Sequence, residues 1–347
     1  MEQNKIIIDD TPIGNSEKCY VIAEIGINHN GKLDIAKKLI DVAVESGANA
    51  VKFQKRNLDD LYREDALNDP NIESQGFEIL IQVLKEVEFN EKDYEEILNY
   101  CREKNITFLC TAWDKQSVDF LEKLNVHAYK IASADMTNFP LIEYIIKTHK
   151  PIIISSGMST LEEIENTVEF FKNKNSKFIL LHCNSTYPAP IEQLNLELIP
   201  EFKKKFSIPI GYSGHEQGII ATLTAANMGA CIIERHITLD KKMEGIDQSV
   251  SLNPEEFKQL VNFIRESEKA RGIAQKKITR GEILQREVLS KSIVCKQDIK
   301  KGDIFSKENI EIKGPAKGLS PQYYFKIIGK KSNREIKKNT YIQSDDL

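Results

Sequence analysis

Short apolar runs and stretches of helical spacing alternate along this chain from Tyr20 onward. The run YVIAEIG is followed by apolar positions at Leu33, Ala36, Leu39, Ile40 and Ala43, whose three-and-four spacing predicts an amphipathic helix ending at Gly47. ANAVKFQ is the next run. After a long connection come ITFLCTAW, AYKIAS, PIIISSG, KFILLHC, IPIGYS and ACIIERH. Helical patterns over residues 91–104, 115–124, 140–148, 160–172, 194–205 and 218–228 separate them, and a last helix over 254–270 closes the series. The runs are continuously apolar rather than alternating, as in strands buried on both faces of a parallel sheet. Eight strand–helix units in ~250 residues predict an α/β protein built on a (β/α)8 TIM barrel over residues 1–270. A doubly wound open sheet is the alternative. It typically has fewer strands and a glycine-rich first turn, and EIGINHNG lacks the GxGxxG spacing of a dinucleotide site.

Three segments break the rhythm. Residues 1–19 hold one apolar run and a turn, expected as a strand or hairpin outside the main fold. Residues 55–90 are polar and irregular at first, with helical spacing around 77–84; a connection of this length is expected to be a lid, a substrate-binding loop or an insertion without a role. Residues 271–287 read as a charged linker. Beyond it, residues 288–347 read as a small β-rich module with strands at SKSIVC, DIFS, NIEIKG and FKIIGK. So small a module is expected to pack on the barrel or on a second subunit.

Composition narrows the function class. The 347 residues carry a formal net charge of -4, which gives no footprint for nucleic acid. No apolar run approaches the ~20 residues that span a bilayer, and no signal peptide is visible, so a cytoplasmic location and no membrane partner are expected. The six cysteines form no CxxC pair and are expected to be reduced.

In a barrel the last residues of the strands face one site. Here they are polar: Glu24, Lys52, Gln54, Thr111, Lys130, Ser133, Ser155, Ser185, Tyr187, Ser213, His215, Glu234 and His236, with Asp247 in the loop that follows. Lys52, Lys130 and the hydroxyls of Thr111, Ser155 and Ser213 suit a doubly charged phosphate. Each lysine can instead pair with Glu24 or Glu234, or serve as a Schiff-base lysine. His215 and His236 end consecutive runs separated by one helix, so they converge as strand-end caps or as ligands of Mn, Fe, Co or Zn. A metal there would polarise a carbonyl oxygen. Glu24, among these cations, suits proton transfer or a grip on a substrate hydroxyl. His29 and His182 read as structural or functional alike, and His127 and His149 as ordinary surface residues.

The runs IAEIGINHNG, VKFQ, YKIAS, SSGM, YPAP, GYSGHE and ERHITLD, in order over nearly the whole chain, resemble the sialic acid synthase family. The C-terminal module resembles the antifreeze-like (SAF) domain of that family. The resemblance implies condensation of phosphoenolpyruvate with an N-acetylated amino sugar and water, with loss of phosphate by C–O cleavage. It implies a divalent metal, commonly Mn2+ with Mg2+ or Co2+ as alternatives, on His215 and His236. It places phosphoenolpyruvate on Lys52, Thr111, Lys130, Ser155, Ser185 and Ser213, with Ser133 beside them. The sugar falls on Glu24, Gln54, Tyr187 and Asp247, with Glu24 as the proton-transfer group. It further implies a homodimer in which each SAF module covers its partner's site. Two departures stand out: Gly314 occupies the place of a SAF-loop arginine, and GYSGHE replaces the more common GxSDH, as in animal-type members. N-acetylneuraminate synthesis from N-acetylmannosamine is the leading expectation, with legionaminic or pseudaminic acid synthesis as the alternative. A metal-dependent aldolase using free pyruvate and a non-enzymatic carbohydrate-binding barrel are the competing classes.

Overall fold

The computed structural model describes residues 5–70, 73 and 76–347, and the chain divides into two compact units, Met1–Gly272 and Ile273–Leu347. In the first, a hairpin of β1 (Ile6–Ile8) and β2 (Thr11–Ile13) precedes eight parallel strands. These are β3 (Tyr20–Gly26), β4 (Ala50–Lys55), β5 (Thr107–Ala112), β6 (Tyr129–Ile131), β7 (Ile152–Ser155), β8 (Phe178–Cys183), β9 (Ile210–Gly214) and β10 (Ile232–His236). They pair in sequence order, and β10 closes on β3, giving the expected closed barrel.

Alternation within each strand organises the molecule. Val21, Ala23 and Ile25 of β3 face the helices in the main core. Tyr20 and Ile22 point inward and share a second cluster with Ala50, Leu109, Ala128, Ile153, Ile179, Leu181 and Ile232 of the other strands. Ile6, Ile8 and Ile13 of the hairpin join that inner cluster, so β1 and β2 seal the N-terminal end of the barrel rather than lying outside the fold. One step further along the inner face, most strands change from apolar to polar: Glu24 follows Ile22, Lys52 follows Ala50, and Thr111 follows Leu109. The lower barrel is thus filled by hydrocarbon, and the upper barrel collects charge.

Among its described residues, the connection over 55–90 contains the helices Leu58–Leu61, Glu64–Asn68 and Phe77–Val87. The last of these buries Ile81, Leu84 and Val87, which is the helical spacing read around residues 77–84.

The second unit departs from expectation at two places. The segment read as a linker contains a helix, Arg280–Leu289, started by a capping box in which Thr279 and Glu282 bond reciprocally. FKIIGK contains a helical turn, Tyr324–Ile327, rather than a strand. An antiparallel pair, β11 (Ser292–Cys295) with β12 (Ile310–Lys313), packs a core of Ile293, Cys295, Ile299, Phe305, Ile310, Ile327, Ile336 and Ile342. DIFS contributes an isolated bridge from Ile304 to Lys331.

Candidate active site

At the C-terminal ends of the barrel strands lies a cavity of about 270 Å3. Glu24, Lys52, Gln54, Thr111, Lys130, Ser133, Ser155, Ser185, Tyr187, Ser213, His215 and His236 all line it. Asp247 does not; its carboxylate stands 3.9 Å from His236 Nδ1. Trp113, Met158, Cys183 and Glu234 also line the cavity. Glu234 belongs to the strand-end set read from the sequence, and it reaches both lysines in the cavity. Trp113 and Cys183 sit at or next to strand ends and carry no charge that would mark them in the sequence.

Register brings the charges together. Glu24 stands beside Lys52 and His236 on the neighbouring strands, and Thr111 beside Lys130. Lys52 Nζ is 2.8 Å from Glu24 Oε2 and 3.5 Å from Glu234 Oε1, and donates to Thr111 Oγ1 at 3.1 Å. Lys130 Nζ lies 3.9 Å from Glu234 and donates to the Ile131 carbonyl at 2.9 Å. Ser213 Oγ donates to Glu234 at 3.2 Å. Two buried lysines therefore share two buried carboxylates. Burial holds Glu24 above the usual carboxyl range despite Lys52. Burial pushes Glu234 the same way, but Lys130 and Lys52 outweigh it and hold that carboxyl low. Burial lowers Lys130, whereas for Lys52 the two glutamates overcome burial and raise it. Ser155 Oγ and Glu234 Oε2 are buried without a hydrogen-bond partner.

A register shift between Glu24 and Gly26 bends β3 at the cavity. Gly26 has φ +55°, and a Cβ there would meet Gln54 Nε2 at 3.1 Å, Glu24 Oε1 at 3.2 Å and His236 Cε1 at 3.2 Å. The glycine leaves room for three site side chains to converge. Gln54 Nε2 donates to Glu24 Oε1 at 2.8 Å, and Arg56 donates to the amide oxygen of Gln54, which fixes the orientation of that amide.

The His215 and His236 rings lie 5.6 Å apart. His215 Nδ1 donates to the Asn184 carbonyl at 2.8 Å, leaving the Nε2 lone pair to accept from Tyr187 OH at 2.8 Å. Cys183 Sγ, at 3.8 Å from the same Nδ1, is the longer contact. Burial drives His236 down to about 4, so it is neutral at neutral pH, and its Nδ1 is buried without a hydrogen bond. Among the described residues no group of three or more His, Cys, Asp or Glu side chains stands at metal-holding spacing, so the two imidazoles form a pair without a third such ligand.

The remaining histidines lie outside the cavity. His29 stacks on Phe89 at 4.0 Å and accepts from Gly31 N; His182 Nε2 bonds the Leu194 carbonyl at 2.7 Å. Both are structural. His127 is half-exposed beside Asp9 at 3.3 Å. All six cysteines are buried and unpaired, and no helix among the described residues is long and apolar enough to cross a membrane.

Comparison with known proteins places this arrangement. The NeuB family model matches residues 39–276, and the SAF domain model matches residues 290–347. The N,N'-diacetyllegionaminic acid synthase of Campylobacter jejuni is 40% identical over 94% of this chain and 99% of its own length. The N-acetylneuraminate-9-phosphate synthase of Homo sapiens is 39% identical over 92% of this chain and 90% of its own. A crystal structure of the N-acetylneuraminic acid synthetase of Leptospira borgpetersenii, in complex with citrate, matches with a TM-score of 0.72 at 34% identity, covering 81% of this chain and 94% of that one. With its barrel matched over most of its length and a SAF domain behind it, the chain belongs to the NeuB family, the sialic acid synthases that its strand-end motifs resemble.

Proposed function

We propose that this nonulosonic acid synthase condenses phosphoenolpyruvate with N-acetylmannosamine and water, releasing phosphate and forming N-acetylneuraminate. The observation that carries the reading is a single cavity in a NeuB-family barrel where two buried lysines, two buried carboxylates and two imidazoles meet. Lys52 and Lys130, with Thr111, Ser133, Ser155, Ser185 and Ser213, take the phosphate and carboxylate of phosphoenolpyruvate. The Ser155 hydroxyl, buried without a partner, is free to turn toward an incoming oxygen. Gln54, Tyr187 and Asp247 hold the sugar. Its aldehyde carbon then accepts a bond from C3 of phosphoenolpyruvate, and the aldehyde oxygen takes up a proton. Water adds to the electron-poor C2 and loses its proton. The bond from C2 to the phosphate oxygen breaks, phosphate leaves with that electron pair and takes up the proton of the new C2 hydroxyl, and a 2-keto acid remains. Glu24, whose carboxyl is held above its usual range by burial, is the proton-transfer group.

His215 and His236 fit a borderline divalent ion: one Nδ1 is buried without a hydrogen bond, the other ring keeps its Nε2 lone pair, and a carboxylate stands at 3.9 Å. We assign them Mn2+, with Mg2+ or Co2+ as alternatives; such an ion would polarise the aldehyde oxygen. Two copies of the chain are proposed to pair with each SAF module over the other's cavity.

The relative of Campylobacter jejuni favours a second reading, in which the acceptor is a diacetamido sugar and the product legionaminic acid. Pseudaminic acid synthesis is the same chemistry on another such sugar. Phosphate release from phosphoenolpyruvate, measured with each sugar in turn, separates them. Faster release with N-acetylmannosamine supports the first reading. Release confined to a diacetamido sugar replaces it with the second.

A further inference from the structure

Each cavity histidine has a neighbour in the chain that belongs to one buried ion pair. Glu216 follows His215, and Arg235 precedes His236. Arg235 alternates with the inward-facing Glu234 and His236 and so lies on the outer face of β10. Its Nη1 donates to Glu216 Oε1 at 2.8 Å, to the Gly218 carbonyl at 3.0 Å and to Thr222 Oγ1; its Nη2 donates to the Glu216 carbonyl at 2.6 Å. Glu216 also accepts from Tyr212 OH at 2.8 Å and from Thr222 Oγ1. Glu216 is 0% and Arg235 1% exposed, and neither lines the cavity.

We propose that this pair staples residues 215–218 onto β10 and so sets the separation and orientation of the His215 and His236 imidazoles. Arg235 and Glu216 are positioning residues. The inference rests on the reading of the two histidines as a metal pair. His215 lies one residue past the end of β9, where ladder bonds no longer fix the chain; an Ala189 N–H to its carbonyl at 3.1 Å is a further tie. One planar guanidinium reaches acceptors on Glu216, Gly218 and Thr222 together, a fork that lysine lacks. Net stability is a weak reason for such a pair, because desolvation offsets most of its attraction. Space is reserved for it: a Cβ on Gly214 would meet Glu216 Oε2 at 2.6 Å, Tyr212 Cε1 at 2.7 Å and Arg235 Cδ at 3.0 Å. The second glycine of GYSGHE is room for the staple.

Two variants of the full chain test this. Glu216→Leu with Arg235→Met removes both charges, so none is left buried alone. Gly214→Ala keeps both charges and crowds them. Mn2+ affinity is measured by calorimetry without substrates, fold by cooperative unfolding, and ring placement by crystallography. The staple predicts folded variants that bind Mn2+ about 10- to 100-fold more weakly, as when groups that orient metal ligands are lost. It also predicts residues 215–218 displaced from β10 and the rings moved from their 5.6 Å spacing. A pair that merely stabilises lowers the unfolding temperature and leaves affinity and spacing as they were, which overturns the proposal. Should the parent bind no Mn2+, the metal reading fails, and the ring spacing in the variants alone decides the staple. If the double variant does not fold, the affinity and ring spacing of Gly214→Ala decide between the same two outcomes.

Discussion

At the scale of single residues, burial decides which charges this protein carries. His29 is stacked on Phe89 and pushed by burial from 6.5 to about 3. Below pH 6.5 the unfolded chain takes up a proton that the folded chain refuses, so stability falls as pH drops toward 3. From pH 6.5 to pH 5 this group alone accounts for a loss of roughly 2 kcal/mol. Urea unfolding at both pH values should show His29→Phe losing about 2 kcal/mol less than the parent; equal losses would mean that the ring is protonated in the fold. Lys52 and Lys130 remain buried for a different reason: Glu24 on the adjacent strand answers Lys52, and Glu234 of β10 reaches both lysines across the barrel.

At the scale of elements, the inner faces of the strands set the division of labour between the two ends of the barrel. Ile8 is fully buried in the cluster that fills the lower barrel. Ile8→Ala should cost about 2–5 kcal/mol in urea unfolding; a change below ~0.5 kcal/mol, the size of an ordinary surface substitution, would place the hairpin outside the core. The strands and most barrel helices are legible in the sequence because each apolar run and each helical spacing is local. The strand-end residues are legible too, since closure of the barrel brings successive ends together whatever the loops do. The hairpin's destination is not, because the shared burial of Ile8 and Leu181 is a property of closure and leaves no periodicity in residues 1–19. Arg280–Leu289 is hard to read although TRGE carries a capping-box spacing: none of its residues is buried, so no apolar stripe announces it. The staple is hidden because Glu216 and Arg235 lie nineteen residues apart, and only the pairing of β9 with β10 joins them.

At the scale of the whole molecule, charge is divided unequally. Residues 273–347 carry 17 Lys and Arg against 9 Asp and Glu, a net of +8, which leaves 31 against 43 in the first unit, a net of -12. Opposite signs on the two units supply a long-range attraction that the proposed pairing of two copies would draw on. Deleting residues 285–347 should therefore yield a monomer by sedimentation, with turnover reduced at least tenfold; a fully active monomer would remove the proposed cover. The proposed reaction turns on which bond to the bridging oxygen breaks. Phosphoenolpyruvate labelled with 18O in its bridging oxygen, turned over with Mn2+ and an N-acetylated amino sugar, reports it directly. With C–O cleavage the label leaves with phosphate. Label retained in the sugar acid, or no phosphate released with any sugar while free pyruvate is consumed, would contradict C–O cleavage.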